Sequence, residues 1–538
     1  MFRPLRARLG AGLLGLALLL PLAAAAPASA AAADFPSGYR GYHTYAEMVA
    51  DINAVVAAHP TIAEKLAIGK SYQGRTIWAV KISDNVAVDE NEPEVLFDGL
   101  THSDEHMVLE MTLHIMHWLV DGYDTSSRIT NIVNSREVWI ILAVNPDGAE
   151  YDITGGHFHF WRKNRQPTAG TTAIGTDLNR NFGYRWGGGG RTSTNPFAIT
   201  YRGPFAFSAP ETRNVRDFLA SRVVNGRQQI RTAITFHEAG RLVMWPYGYT
   251  YANIPADMTV DDHNALVLIG KHMASTNGYR PEQASDLYIT SGTTRDYEYG
   301  RYRIFAYTFE MSVVDYPKDT LIASETGRNK EAVLYLIERA GCPLSVLGAT
   351  VRTARCGAFD DDLEVNRGWL VNAAGTDTAT GGAWQRGDPQ ATLTTAGPKQ
   401  PGTVPSGRKA FITGLNAGAN ANANDLDGGR TTATSPTIDL PATTGQKLQF
   451  RWTFATGAGT VAGDELRVEV LDVGAATATT VFVVPGSATQ RNAGWHLASV
   501  DLSAFAGRTI QLRFSANDAG SNSLVEAGFD DVRVTRPQ

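Results

Sequence analysis

Two histidines and several carboxylates lie close together in the stretch LFDGLTHSDEHMVLE. The segment from His102 to His106 has the form H-x-x-E-H, in which both histidines bind zinc from one helix and the glutamate is the base. A second interpretation takes only His102 and Glu105 as ligands. The run EVLFDGL predicts a strand that ends just before His102. Helical spacing begins at about Glu105, with Ser103 or Asp104 as the N-cap, which favours the second interpretation.

A third ligand must come from elsewhere in the chain, because a catalytic zinc ion takes three protein ligands and a water. The stretch TAITFHEAGRLVMWPYGY supplies His237 at the end of a second predicted strand. A lone histidine after a strand is more often structural than a ligand. The chain has only two cysteines, Cys342 and Cys356, so any metal must be bound by His, Asp or Glu. In an oxidising compartment these two cysteines are expected to form one disulfide.

Helices and strands alternate over about the first 345 residues and would position these side chains. Helical i, i+3, i+4 spacing occurs in TYAEMVADINAVVAAHP, EHMVLEMTLHIMHWLVDGY, APETRNVRDFLASRV, DDHNALVLIGKHMAST and RNKEAVLYLIERAG. Short β-branched runs lie between them: TIWAVKIS, EVLFDGL, REVWIILAVN, QIRTAITFH and IFAYTFEMS. This alternation predicts one large α/β domain with helices on both faces of a sheet.

The helical pattern ends after Cys356. Runs such as QKLQFRWTFAT, DELRVEVLDV and TIQLRFSAND alternate apolar and polar residues, with Gly, Asn and Asp turns between them. The alternation predicts an all-β sandwich or barrel in residues 357–538. The segments CGAFDDDLE and GFDDVRV near its ends resemble jelly-roll accessory modules, so we expect a jelly-roll-like sandwich. The disulfide would brace the junction at residues 346–356.

The first thirty residues have the organisation of a secretory signal peptide. Arg3, Arg6 and Arg8 precede a leucine- and alanine-rich run, and the small residues 28–30 fit a cleavage site. A membrane anchor is the alternative, because the run is nearly long enough to span a bilayer. We expect residues 1–30 to be removed and the protein to be secreted and extracellular. The predicted catalytic domain follows almost at once, so we expect activity without removal of a pro-segment.

Charge and hydropathy exclude two kinds of partner. The net charge of −6 does not suggest binding to nucleic acid. No stretch after the signal peptide is apolar enough to span a membrane, so we expect no membrane contact once the signal is removed. We also expect a monomer.

Seven stretches between about residues 34 and 345 follow one another in a recognisable order. They are DFPSGYRGYHTYAEM, IGKSYQGRTIWAVKISDNVAVDENEPEVL, WRKNRQP, GTDLNRNFGYRW, HEAGRLVMWPYGY, LYITSGTTRDYEYG and FAYTFEMS. In order and spacing they resemble the zinc carboxypeptidases of the carboxypeptidase A type, with the bacterial carboxypeptidase T group most similar. The resemblance implies a mixed central sheet flanked by helices. It also implies a metalloprotease that removes C-terminal amino acids from peptides.

The resemblance implies roles for four residues at the metal. His102, Glu105 and His237 bind one zinc ion, which settles the H-x-x-E-H question in favour of the second interpretation. Glu310 in the stretch YTFE becomes the general base. Zinc lowers the pKa of its bound water, and a carboxylate beside it takes the proton and passes it to the leaving amine.

Four further residues would bind the substrate. Arg162 in WRKNR polarises the scissile carbonyl and stabilises the oxyanion that forms on it. Asn179 and Arg180 in DLNRNF bind the free C-terminal carboxylate, for which a bidentate guanidinium is the best partner. Tyr288, twenty-two residues before Glu310, closes over the substrate.

Two positions depart from the family pattern. Asp104 stands where the family has an arginine that helps bind the peptide backbone, so it could favour basic residues upstream of the cleaved bond, or simply cap the helix. Arg295, fifteen residues before Glu310, occupies the position that sets side-chain preference. A cation there favours C-terminal Glu or Asp. The alternative is that Asp296 or Glu298 neutralises Arg295 and leaves a broad or apolar preference.

An acidic turn in the stretch NVAVDENEPEVL suggests a second metal. Asp89, Glu90, Glu92 and Glu94 offer the hard oxygen ligands that Ca²⁺ prefers, and the resemblance makes a structural calcium ion a hypothesis. A solvated acidic turn is the alternative.

The leading interpretation is a secreted, zinc-dependent exopeptidase that acts on peptide or protein C-termini, with a preference for acidic C-terminal residues as its finer form. One alternative is a peptidoglycan-peptide hydrolase on the same fold, and another is a non-catalytic zinc-binding adhesin. The C-terminal domain could contact a cell wall or carbohydrate through Trp369, Trp384, Trp452 and Trp495, although such residues more often belong to a core.

Overall fold

The computed structural model describes residues 34–90, 92–224, 227–416, 418, 420–520 and 523–536. The predicted signal peptide lies outside the described residues. No helix in the described part of the chain combines the length and hydropathy that a membrane span requires.

The N-terminal region is built on an eight-stranded mixed sheet, as expected. Its strands and a small two-stranded hairpin are β1 (Ala63–Lys70), β2 (Thr76–Ile82), β3 (Glu94–Asp98), β4 (Glu137–Ile141), β5 (Val223–Val224), β6 (Arg227–Gln228), β7 (Ile230–Glu238), β8 (Leu242–Trp245), β9 (Arg280–Gln283) and β10 (Phe305–Met311). The strand order in the large sheet is β1-β2-β4-β3-β7-β10-β8-β9, and β5 pairs with β6. Strands β4, β3, β7 and β10 run parallel at the centre, so their carboxyl ends meet at one edge.

Helices cover this sheet. They are α1 (Tyr45–Ala58), α2 (Met107–Gly122), α3 (Ser127–Val133), α4 (Pro146–Asp152), α5 (Pro210–Ser221), α6 (Val260–Asn277), α7 (Ala284–Leu287), α8 (Thr294–Tyr302), α9 (Ile322–Gly327), α10 (Lys330–Arg339) and α11 (Ala349–Arg355). Short 3₁₀ turns occupy Leu178–Arg180, Asp319–Leu321 and Pro343–Leu347. One large apolar core joins the sheet to α1, α2, α6 and α10, and a second core lies beneath α5. The apolar spacing of these five helices accounts for their burial.

The five predicted helices and five predicted strands correspond to α1, α2, α5, α6, α10 and to β2, β3, β4, β7 and β10. Strands β1, β8 and β9 were not predicted. Strands β1 and β9 lack continuous apolar runs, and β8 is apolar but only four residues long. Strand β9 contains Pro281, which an outermost strand tolerates because only one of its sides is paired. Helix α8 was missed because it is polar, although most of its first two turns is buried.

The C-terminal region is a sandwich of antiparallel sheets, as the alternation predicted. Its strands are β11 (Phe359–Asp361), β12 (Leu370–Val371), β13 (Trp384–Gly387), β14 (Thr392–Thr394), β15 (Gly397–Gln400), β16 (Ala410–Thr413), β17 (Gly429–Thr434), β18 (Ile438–Asp439), β19 (Lys447–Thr456), β20 (Glu465–Asp472), β21 (Thr477–Pro485), β22 (His496–Asp501), β23 (Thr509–Asp518) and β24 (Val525–Val534); Ser503–Phe505 is a 3₁₀ turn. The sheets β13-β16-β24-β19-β22, with β11 on β24, and β12-β17-β23-β20-β21, with β18 on β23, enclose one core. Phe514 and Phe529 stack across it at 4.0 Å between ring centroids.

The junction between the two regions is held covalently and by ion pairs. Cys342 and Cys356 form the predicted disulfide, which closes around α11. Arg355, at the end of α11, pairs with Asp261 of α6 at 3.0 Å and with Asp360 of β11 at 2.8 Å. The end of the α/β region is therefore tied directly to the first strand of the sandwich.

Candidate active site

Three side chains that could bind a metal converge at the carboxyl edge of the central strands. Glu105 lies with its two carboxylate oxygens 2.7 Å from Nδ1 of His102 and 2.8 Å from Nδ1 of His237. The two Nδ1 atoms are 2.9 Å apart. These residues, here called the zinc trio, are all buried and form one of three groups of described residues whose donor atoms could hold an ion. Two imidazoles and a carboxylate are a donor set that fits a catalytic zinc ion.

The sheet explains why these residues meet. His102 follows β3 by four residues, and His237 lies near the end of β7, the parallel neighbour of β3. Glu310 lies on β10, opposite His237 in the parallel pairing of β7 and β10. Because the carboxyl ends of parallel strands share one edge, residues distant in sequence come together there.

The start of the following helix differs from the prediction. Helix α2 begins at Met107 with His106 as its N-cap, so Glu105 lies in the preceding turn and not in the first helical turn. Ser103 is not the cap, because its hydroxyl donates to the carbonyl oxygen of Trp161 at 2.5 Å. Asp104 is not the cap either, since it lies two residues before the N-cap His106. Outside the helix, Glu105 is free to reach both histidines.

His106 lies apart from the zinc trio, as the second interpretation requires. Its Nε2 is 3.0 Å from Oδ2 of Asp152, and its ring packs edge-on against Phe35. The H-x-x-E-H string is therefore not arranged as a pair of histidines on one helix.

Asp177 is a functional candidate that the sequence analysis missed. Its Oδ1 lies 3.2 Å from Nε2 of His102, and its Oδ2 accepts a hydrogen bond from Nε of Arg162 at 3.5 Å. Burial opposes its ionisation, but Arg162, Arg180 and His102 outweigh burial and hold the pKa of Asp177 well below its usual range. A carboxylate on the outer nitrogen orients a metal-binding histidine and leaves Nδ1 unprotonated. The sequence signal that could have identified Asp177 is its position two residues before Asn179 in the motif DLNRNF.

Glu310 lies beside the zinc trio and is half-buried. Burial, together with the charge of Glu105, raises the pKa of Glu310 to about 8. Burial lowers the pKa of His237 to about 4, so this imidazole is neutral, the form that binds a metal. A carboxyl group with a raised pKa is suited to accept and return a proton near neutral pH.

Arg162 is held between two carboxylates. Its Nη1 donates to Glu105 at 3.2 Å, and its Nε donates to Asp177. Its side chain remains 19% exposed, so part of the guanidinium faces the open side of the site. This arrangement fixes a cation next to the zinc trio.

The residues predicted to bind the substrate carboxylate lie together. Arg180 is buried, and it donates from Nε to the carbonyl oxygen of Arg191 at 2.7 Å and from Nη1 to that of Asn179 at 2.8 Å. The ring of Tyr288 lies 6.0 Å from the Arg180 guanidinium and 4.7 Å from that of Arg191. Gly292 allows this packing, because a Cβ there would lie 2.5 Å from the Arg180 carbonyl oxygen. Asn179 reaches the zinc trio, with its Nδ2 3.2 Å from Nε2 of His237.

Arg295 is buried in the first turn of α8 and is paired within the protein. Its Nε donates to Asp296 at 3.3 Å and its Nη1 donates to Thr308 at 2.8 Å. A Cβ at Gly248 would lie 2.8 Å from its Nη2. Burial raises the pKa of Glu298 well above its usual value. Of the two arrangements considered for Arg295, the structure has the one in which Asp296 neutralises it.

The acidic turn is divided between two clusters. Asp89 and Glu94 belong to a group around Arg222, which lies 2.7 Å from Asp89 and 2.9 Å from Glu94. Glu90 and Glu92 instead converge with Asp84, a residue that was not predicted. Burial and the charge of Glu90 raise the pKa of Glu92 to about 7. The four predicted oxygen ligands therefore do not form a single site.

A mixed α/β sheet that presents two imidazoles, three carboxylates and a fixed guanidinium at one edge defines a zinc hydrolase. The chain belongs to the zinc carboxypeptidase family, which matches residues 48–332. It is therefore a metallocarboxypeptidase.

Individual relatives agree with this assignment. The chain is 47% identical over 322 residues to a zinc carboxypeptidase of Saccharothrix mutabilis subsp. capreolus, covering 59% of this chain and 74% of the relative. It is 30% identical over 276 residues to carboxypeptidase A1 of Sus scrofa, covering 51% of this chain and 63% of that enzyme. The crystal structure of thrombin activatable fibrinolysis inhibitor has the same fold, with a TM-score of 0.51 at 24% identity over 56% of this chain and 74% of the other.

Proposed function

We propose that the protein is a secreted exopeptidase that releases single amino acids from the C-termini of peptides. The observation that carries this proposal is that Asn179 connects the two halves of the site. Asn179 contacts His237 of the zinc trio through its side chain and Arg180 through its carbonyl group. Between a substrate carboxylate bound at Arg180 and the zinc trio there is therefore room for little more than one amino-acid residue of the substrate.

Each residue has a role in this proposal. His102, Glu105 and His237 would hold the zinc ion, which would supply a Lewis acid that lowers the pKa of water. Glu310 accepts a proton from the attacking water and returns it to the leaving amine, for which its raised pKa suits it. Arg162 is fixed in place to stabilise the negative charge that develops on the scissile carbonyl oxygen.

The residues proposed to bind the substrate's C-terminal carboxylate are held in position before the substrate binds. Two backbone carbonyls orient the Arg180 guanidinium before a carboxylate arrives, which reduces the entropy lost on binding. Asn179 offers an amide beside it. Tyr288 stacks over the neighbouring arginines and can close over the bound residue.

The proposal is tested with matched peptides that have either a free or an amidated C-terminus. We expect stepwise release of amino acids from the free peptide, none from the amide, and loss of activity with 1,10-phenanthroline that zinc restores. Cleavage of the amidated peptide at the same rate would contradict recognition of the carboxylate. Activity that resists the chelator would contradict the metal-dependent mechanism.

Arg295 governs the proposed side-chain preference. Its ion pair with Asp296 reduces the positive charge at the pocket, while burial raises the pKa of Glu298 well above its usual value and so favours its neutral form. We infer that acidic C-terminal residues are favoured over basic ones, but that the advantage over apolar residues is small. Z-capped dipeptides ending in Glu, Leu and Lys test this order. If Lys is released as fast as Glu, Arg295 does not set the preference.

A calcium ion at Asp84, Glu90 and Glu92 is the second metal that we propose. Buried Oε2 atoms of Glu90 and Glu92 have no hydrogen-bond partners, which supports the presence of a cation between them. Calcium should raise the Tm and EGTA should lower it. An unchanged Tm in both conditions would reject the site.

We propose the domain limits of 34–345 for the catalytic domain, 346–356 for the junction and 357–538 for the accessory domain.

Trp369 and Trp384 belong to the sandwich core, whereas Trp452 and Trp495 are half-buried beside the exposed His496. Contact with cell-wall glycan through Trp452 and Trp495 would use the partly open aromatic faces. Co-sedimentation with peptidoglycan should fall when both are replaced by alanine, while the protein remains a monomer in gel filtration. Unchanged sedimentation would reject this surface.

A further inference from the structure

A cleft of about 400 Å³ lies between the α/β region and the sandwich. Its walls include Arg227 of β6, Arg231 of β7 and Arg536, which follows β24. Arg231 lies six residues before His237 on the same strand, so the cleft is about 20 Å from the zinc trio. Three arginines therefore line one cleft whose volume falls within the range of small-molecule sites, about 300–1,000 Å³.

The Arg231 guanidinium has no acceptor within the protein. It is half-buried, and no described residue accepts a hydrogen bond from it or forms an ion pair with it. Arg227 donates one long hydrogen bond, from Nη1 to the carbonyl oxygen of Ala358 at 3.5 Å. Burial and the charges of Arg227 and Arg367 lower the pKa of Arg231 to about 9. A cation partly removed from water beside other cations is costly unless an anion joins it.

The acid nearest in effect to these arginines is already paired. Among the acidic residues, Asp360 acts most strongly on both Arg227 and Arg231 through its charge. Its carboxylate lies 2.8 Å from Nε of Arg355 and 3.0 Å from Nε of Arg533. Asp360 therefore shares its charge with two other guanidinium groups.

Two carboxylates also line the cleft, and both have other partners. Glu92 belongs to the cluster proposed above to bind calcium. Asp439 accepts a hydrogen bond from the Thr509 hydroxyl at 2.5 Å, and its charge acts on Arg227. Arg231 therefore remains the cation of the cleft for which the described residues supply no acceptor.

We propose that the cleft binds a tetrahedral oxyanion, a phosphate or sulfate group, between Arg227, Arg231 and Arg536. Planar guanidinium groups donate in pairs to such oxyanions. Arg536 donates from Nε to the carbonyl oxygen of Cys356, which orients its guanidinium, and the buried Gln229 adds an amide to the wall. The bound anion joins β7 to the end of the sandwich and so stabilises the two regions together. Its distance from the zinc trio means that it does not compete with a peptide substrate.

The test measures the binding of inorganic phosphate, sulfate and glucose 6-phosphate to the zinc-loaded full chain by isothermal titration calorimetry, and the Tm with each. We expect saturable binding that raises the Tm and weakens as salt increases. Tighter binding of glucose 6-phosphate would identify an organic phosphate as the ligand, and tighter binding of the inorganic ions would identify the free oxyanion. The kcat/KM for a peptide should not change at saturation. Competitive inhibition with a constant equal to the Kd would place the anion at the zinc trio and overturn the proposal.

Variants assign the binding to the cleft. Arg231→Gln and Arg227→Gln should each raise the Kd about tenfold or more and remove the rise in Tm, because each deletes charge-assisted hydrogen bonds. Arg216→Gln is the matched control, since it removes the same charge from α5, where Arg216 pairs with Asp217 at 2.8 Å. The control should bind like the unaltered protein.

If Arg231→Gln does not fold, Arg227→Gln decides the question. Absence of saturable binding, or a Kd that is unchanged in Arg227→Gln, would overturn the proposal. Calorimetry and Tm require no turnover, so this result is independent of whether the protein releases C-terminal amino acids.

Discussion

Asp177 should control both the affinity for zinc and the placement of the cation beside it. In Asp177→Asn the Oδ1 atom can still face Nε2 of His102, but the carboxylate charge is lost. The amide nitrogen then points at Nε of Arg162, where two donors repel each other. Arg162 keeps one anchor, Glu105, and can shift away from the carbonyl it is proposed to polarise.

The expected losses of zinc affinity and of kcat/KM in Asp177→Asn follow from the contacts that this substitution removes. Outer partners of metal-binding histidines typically contribute 10- to 100-fold in metal affinity, or about 1.4–2.7 kcal/mol. A misplaced oxyanion donor costs at most about 10²–10³ in rate. We therefore expect Asp177→Asn to weaken zinc binding by about tenfold or more, and kcat/KM to remain reduced after zinc is saturating.

The assay separates these two effects. Zinc affinity is measured by competition with a chromophoric chelator, and kcat/KM is then measured with zinc restored. Asp147→Asn is a matched control, since Asp147 is equally buried and pairs with Arg75 at 2.9 Å. The control should lower stability without changing zinc affinity. Unchanged zinc affinity in Asp177→Asn would refute the role given to this carboxylate.

Three further changes test other parts of the structure. Glu310→Gln should reduce kcat by at least about 10² with folding retained by circular dichroism, because the amide cannot accept a proton; nearly full activity would exclude it as the base. Arg180→Lys should raise KM for free peptides about tenfold, since lysine lacks the planar fork, and an unchanged KM would reject its role. Burial and the charge of Asp425 raise the pKa of Glu526 to about 9, so its contribution to stability is complete below about pH 4.5 and is lost as pH rises toward 9. Glu526→Gln should therefore flatten the fall in Tm between pH 6 and 9, and an equally steep fall would contradict the buried acid.

Much of the fold could be predicted because burial repeats along the chain with a characteristic period. Helices α1, α2 and α10 each bury a stripe of apolar residues, and β3, β7 and β10 are buried along nearly all of their length around apolar runs. Helix α8 has no such stripe. Its buried side chains include charged ones, such as Arg295 and Asp296, which pair with each other, and periodicity does not reveal this arrangement.

The site was predicted less evenly than the fold. The order of the sequence motifs predicted that His102, Glu105 and His237 lie together, because each of them follows or ends a central strand. Asp177 was missed, since its importance depends on its distances to His102 and Arg162, which are far away in sequence. The ion pair of Arg295 could not be predicted from the sequence, because the side chain of an acidic residue next to it can point toward it or away from it.

The pairing of β7 and β10 has a consequence for how this protein can change over evolution. His237 and Glu310 face each other in a register that insertion or deletion of one residue in either strand would break, since alternate side chains point to opposite faces. Strand β7 ends at Glu238, and the segment after β10 carries Asp315 and Tyr316. Variation in the segments that follow the two strands can therefore alter which peptides bind, while the strands keep the catalytic residues in place.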